Sequence, residues 1–103
     1  TRLIADKMKI SEDNYTVCFQ SRLGRDEWIK PYAEDTLKKL AAEGKKSILV
    51  FSPAFVSDCL ETTIEVGEEY KENFIEAGGT RWDLVPSLNT ESKWVDCVVD
   101  MVK

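Results

Sequence analysis

The sequence predicts an α/β fold, a three-layer α/β/α sandwich on a parallel sheet, present as a partial domain. Three observations carry that expectation. Ile48-Leu49-Val50-Phe51 is an unbroken apolar run, as a parallel strand covered on both faces requires. Strand-like stretches alternate with helix-period stretches in the order α-βα-βα-βα, and right-handed crossovers turn such a chain into a parallel three-layer sandwich. Gly44 and Gly78-Gly79 fall where two of the intervening helices must stop, and glycine is the residue that closes a helix in the left-handed conformation.

Taken in order, Arg2 to Lys9 has Leu3, Ile4 and Met8 at helical spacing and reads as the end of a helix. No strand precedes it, so at least one more βα unit is expected upstream. Ser11-Glu12-Asp13-Asn14 is a polar turn. Tyr15 to Phe19 is rich in β-branched and aromatic residues and reads as the first strand. Gln20 to Trp28 is a loop long enough to be more than a connector. Pro31 can open the next helix, with Leu37, Leu40 and Ala41 on one face and Lys38 and Lys39 on the other. Ser47 to Phe51 is the second strand and Arg81 to Val85 the third, with a helix from about Leu60 to Ala77 between them. A last helix is expected from Thr90, as N-cap, to Val102, with Trp94, Val95, Val98, Val99 and Val102 as its apolar stripe.

Composition narrows the function classes. At 103 residues the chain holds one domain with a modest core. A net charge of −5 argues against nucleic acid, which calls for a basic face. No apolar run reaches the roughly 18 residues of a spanning helix, and no secretory leader is evident. Cys18, Cys59 and Cys97 lie far apart, with neither a disulfide framework, nor zinc-knuckle spacing, nor an iron–sulfur pattern. A reducing cytoplasm is the simplest setting for them. The sequence has no histidine, so an imidazole base or ligand has to come from elsewhere.

The chemistry-bearing stretch is Ser52 to Glu65. It follows the apolar second strand and leads through small residues and Pro53 into a helix with acids in its first turns. In an open α/β sheet, ligands sit in the crevice past the carboxyl ends of the strands, which places Asp58, Cys59 and Glu61 for work. On an ordinary helical wheel Leu60, Ile64, Gly67, Phe74 and Ile75 form the inner face, and Glu61, Glu65, Glu68 and Glu72 form a stripe beside it. A local widening of the helix aligns Glu61, Glu65 and Glu69 instead. Either row reads as a solvated face, with acids favoured near the helix N-terminus, or as oxygen ligands that gather and hand on a cation. Cys59 is equally a small buried thiol, and Tyr70 and Phe74 are expected in the core.

Three motifs together resemble a known family. Gln20-Ser21-Arg22-Leu23-Gly24 with Trp28 and Pro31 resembles the ferrochelatase pattern Q-S-x-x-G-x-x-x-W-x-x-P. Ser57-Asp58-Cys59-Leu60-Glu61-Thr62 resembles the family's S/A-D-H/C-hydrophobic-E-T signature, and Val85-Pro86-Ser87-Leu88-Asn89 is similar to its V-P-x-L-N. The three stand in the family's order and at compatible spacing. The resemblance covers essentially the whole chain but only the carboxyl-terminal third or so of the family's length. It implies a chelatase-type, flavodoxin-like sandwich, with residues 1–103 as a single carboxyl-terminal half-domain. It also implies insertion of Fe(II), as substrate metal, into protoporphyrin IX or a related dicarboxylic or tetracarboxylic porphyrin in haem biosynthesis, the fragment being inactive alone.

Residue by residue, Glu61 matches the family's essential glutamate, and Asp58 and Cys59 match the flanking pair, cysteine standing where many members carry histidine. Glu65 and Glu69 match the acidic path leading away from Glu61. The resemblance thus implies Glu61 and Asp58 as catalytic, and Glu61, Glu65, Glu69 and Cys59 as metal-handling. Gln20, Ser21 and Trp28 match residues of the porphyrin cleft, and Arg22 is placed to pair with a propionate. Peripheral membrane contact and self-association of the fragment are left open as further partners. Two alternatives stay in view: a cobalt or nickel tetrapyrrole chelatase, and a non-catalytic metal-binding or interaction module on the same half-domain.

Overall fold

A computed structural model describes residues 1–21 and 24–103. Its elements are α1 (Arg2–Met8), a 3-10 turn (Glu12–Asn14), α2 (Ala33–Ala42), β1 (Ser47–Val50), a π-helix (Glu61–Glu69) running directly into α3 (Tyr70–Glu76), β2 (Arg81–Leu84) and α4 (Ser92–Val102). β1 and β2 pair in parallel, Ser47 opposite Arg81 through Val50 opposite Leu84. This is a partial α/β fold. The π-helix and α3 make the crossover that two parallel strands demand.

Alternation along both strands decides what is covered. Ile48, Val50, Trp82 and Leu84 turn to one face and pack against the buried cluster of Ala33, Leu37, Val66 and Tyr70, with Cys18 joining them. Phe74 is fully buried, and its ring lies 5.9 Å from that of Trp82 in a tilted arrangement. Burying a side chain of that size contributes about 1.5–3 kcal/mol. The opposite face differs from the two-sided cover expected of β1. Leu49 stays 69% exposed, and beside it Arg81 and Asp83 pair across one strand position at 2.6 Å.

Two helices stop as their glycines predict. After α2, Gly44 takes φ +86, its N–H reaches the Ala41 carbonyl at 3.0 Å, and Lys45 N–H reaches Leu40 at 3.0 Å. After α3, Gly78 takes φ +110, with matching bonds from Gly78 to Ile75 and from Gly79 to Phe74. Both are Schellman closures that satisfy otherwise orphaned carbonyls.

Three expectations change. Tyr15 to Phe19 is extended chain, not a sheet strand. Only Phe19 is paired, with Tyr32: its N–H donates to Pro31 O and its carbonyl accepts from Ala33 N–H, both at 2.9 Å. Its ladder bonds go to the approach of α2 instead of to β1. The last helix is capped at Glu91, without a side-chain cap bond, rather than at Thr90. Its apolar stripe is unburied, with Val102 80% exposed, and Cys97 on the same helix is exposed.

Candidate functional site

The helix after Cys59 is widened over its first nine residues, Glu61–Glu69. The buried positions are Thr62, Val66, Tyr70 and Phe74, a repeat of four that an ordinary wheel does not give. The same repeat sends Glu61, Glu65 and Glu69 along one line. With Leu60 and Ile64, those three acids line an open depression of about 310 Å³. The row Glu61, Glu65, Glu69 therefore shares this depression, which Glu68 and Glu72 do not line. Leu60 and Ile64, expected on the inner face, are 74% and 39% exposed. Widening swings them out beside Glu61. Gly67 permits the close fit: a Cβ there would sit 3.3 Å from Thr62 O and 3.5 Å from Leu84 Cδ2.

The Gln20-Ser21 loop is fastened to this helix by side chains. Gln20 Nε2 donates to the Glu61 carbonyl at 3.0 Å, and Trp28 Nε1 donates to the Gln20 carbonyl at 3.1 Å. Ser21 N–H donates to Glu65 Oε1 at 2.9 Å and Ser21 Oγ to Glu65 Oε2 at 2.6 Å. Tyr70 Oη donates to Glu65 Oε1 at 2.7 Å. Burial first, and then Glu65, push the Tyr70 phenol well above its ordinary pKa, so it stays a donor. Trp28, Gln20 and Ser21 are thus brought together with Glu61 and Glu65, while Arg22 lies outside the described residues.

Asp58 is held from the other side. Asn89 Nδ2 donates to its Oδ2 at 2.9 Å, and Ser87 N–H donates to its Oδ1 at 3.2 Å. The Asp58 N–H is accepted by Asn89 Oδ1 at 2.9 Å. Thr62 Oγ1 accepts the Cys59 N–H at 3.0 Å and lies 3.1 Å from both Asp58 Oδ1 and the Cys59 carbonyl, its single proton serving one of them at a time. The Thr62 hydroxyl thus gives the Cys59 N–H a partner at the helix start, where backbone donors lack intrahelical ones. Asn89, then Ser87, hold the Asp58 carboxyl below the usual range, which suits an anchor between two strand-end loops. Cys59 is half-buried at the same turn.

Glu61 is exposed, and its carboxyl is held below the ordinary range, first by the Cys59 thiol and then by its own backbone N–H. Among the described residues no three acid or thiol side chains converge on a single point as a metal cage does. The acids form a row, not a cage. Among the described residues no helix is long and apolar enough to cross a membrane.

A family model, Ferrochelatase, matches residues 1–103. The chain belongs to the ferrochelatase family. It is 45% identical over 103 residues to a ferrochelatase of Idiomarina loihiensis, all of this chain against 28% of that one. It is 45% identical over 103 residues to one of Marinobacter nauticus, covering 28% of it. A Pseudomonas putida ferrochelatase is 50% identical over 100 residues, 97% of this chain and 30% of the relative. The chain thus spans 28–30% of the length of these ferrochelatases.

Three residues of this ferrochelatase segment escaped the sequence reading as site residues. Tyr70 was assigned to the core and is both core and partner of Glu65. Asn89 and Thr62 lay inside matched motifs without a role, and they turn out to hold Asp58 and the helix start.

Proposed function

We propose that this chain forms one wall of a site that inserts ferrous iron into a porphyrin, protoporphyrin IX or a related dicarboxylic or tetracarboxylic one, for haem synthesis in the cytoplasm. The observation that supports it most is Glu61. Its carboxyl is exposed and kept ionised at the head of an acidic row, with Leu60 and Ile64 as bare apolar surface beside it. Insertion requires two pyrrole protons to leave as the metal enters. Glu61 is the group to accept a proton there, and an apolar macrocycle laid over it raises its pKa from the depressed value toward the working range.

Glu65 and Glu69 continue the row along which the metal travels. A line of single carboxylates holds a cation loosely enough to pass it on, which a closed cage would not. Trp28, Gln20 and Ser21 line the porphyrin side, and Arg22 supplies a cation for a propionate. Asp58, bonded as it is, fixes the loop that carries Glu61. Cys59 tunes Glu61 through its thiol. Residues 1–103 act as a single half-domain, the carboxyl-terminal one, inactive without the opposite wall. The bare faces of β1 and α4 leave room for self-association or peripheral membrane contact when that wall is missing.

The test is metal insertion by the native full-length polypeptide carrying these residues, with Fe(II) or Zn(II) and a dicarboxylic porphyrin. Glu61→Ala is expected to lower turnover about a hundredfold or more. Undiminished turnover in that variant would falsify the catalytic assignment. No insertion by the wild type would favour a non-catalytic metal-binding or interaction module, and a preference for cobalt or nickel would favour the related chelatases.

A further inference from the structure

We propose that Tyr70 is a positioning residue that restricts Glu65 to a single free coordination point on Oε2, so that the middle of the acidic row relays the metal without retaining it. This deepens the reading of Glu61, Glu65 and Glu69 as a metal path and rests on it.

The inference stands on a count of lone pairs. A carboxylate offers about four acceptor sites, two on each oxygen. Glu65 Oε1 accepts from Ser21 N–H at 2.9 Å and from Tyr70 Oη at 2.7 Å, so it is filled. Among the described residues Oε2 accepts only from Ser21 Oγ, at 2.6 Å, which leaves one site open to the metal. A hard cation is gripped most firmly by a carboxylate that binds through both oxygens, and here that mode is closed.

The clamp is built, not incidental. Ser21 adopts φ +57, a left-handed conformation that a serine holds only when its surroundings over-determine it, and both its N–H and its hydroxyl point at Glu65. Tyr70 is buried in the main core cluster with Val66 and Leu37, so its hydroxyl cannot swing aside. It is also the first residue after the widened turns, and the widening sets its register to Glu65. A tyrosine there serves packing and metal passage at once, whereas phenylalanine would serve packing alone.

The discriminating variant is Tyr70→Phe in the native full-length polypeptide, assayed for insertion of Zn(II) into protoporphyrin IX. Freeing a second site on Glu65 lets the metal bind through both oxygens. Tighter ground-state binding then lowers kcat and the metal KM together, each by about tenfold, with the porphyrin KM unchanged. Tyr70→Met, which removes the hydroxyl while filling the same core space, is expected to shift both constants in the same direction and carries the test should Tyr70→Phe not fold. In a Glu65→Gln background, Tyr70→Phe should add nothing further. Unchanged constants overturn the proposal. So does a fall in kcat at constant metal KM, or an additive loss in the Glu65→Gln background. Should Glu61→Ala leave turnover intact, it is the metal-path reading itself that fails. An inactive Glu61→Ala beside a neutral Tyr70→Phe removes only the positioning role.

Discussion

Asp58 and Glu61 lie on the same turn, and both carboxyls are depressed below their ordinary range, yet by different partners and to different ends. Asp58 is encircled by Asn89, Ser87 and Thr62, whereas Glu61 faces open solvent with the Cys59 thiol at its side. A carboxyl whose folded pKa is depressed contributes stability above its unfolded value, near 4, and loses it as pH falls through the folded value. Asp58→Asn should therefore lower the urea midpoint at pH 7 and flatten its dependence as pH falls below about 4. An unaltered acid limb would contradict the anchoring role. The identity of these residues was legible because three short motifs place them. Their partnerships were not, since Asn89 and Ser87 lie 31 and 29 positions from Asp58 and no local pattern pairs them.

At the scale of elements, the widened helix decides the site. An ordinary wheel puts Leu60 and Ile64 inside and leaves two acidic rows open. The structure buries Thr62, Val66, Tyr70 and Phe74 instead and lines up Glu61, Glu65 and Glu69. Periodicity read over a few turns cannot separate the two, because the choice is made by packing on β2 and by the Ser21 and Gln20 bonds from a distant loop. The stops were readable locally, as Gly44 and Gly78 needed only their own backbone conformation. Gly79 shows how tightly the helix end is seated: a Cβ there would overlap the Phe74 ring. Gly79→Ala should destabilise by about 1–3 kcal/mol through forced displacement of Phe74, read as a lowered denaturant midpoint. A neutral result would mean that Phe74 has room the packing does not show.

For the whole molecule, the radius of gyration of 15.2 Å exceeds the roughly 13 Å of a compact chain of this length. The α4 stripe and Leu49 stay exposed, and the chain spans 28–30% of its relatives' length. The alternating order of helices and strands made the α/β class and the parallel pairing of Ser47–Val50 with Arg81–Leu84 legible. Two-sided burial of the sheet was not realised here, because a continuous apolar run reports what a strand can bury, not what this segment supplies to cover it. The central claim joins that architecture to chemistry: the widened helix selects Glu61, Glu65 and Glu69 as the face that delivers metal to the porphyrin. The most direct measurement is the metal KM for insertion in the native full-length polypeptide, with Glu69→Gln compared beside Glu72→Gln. The account predicts that Glu69→Gln changes the metal KM several-fold and Glu72→Gln leaves it at the wild-type value. A shift confined to Glu72→Gln, or equal shifts in both, would contradict it.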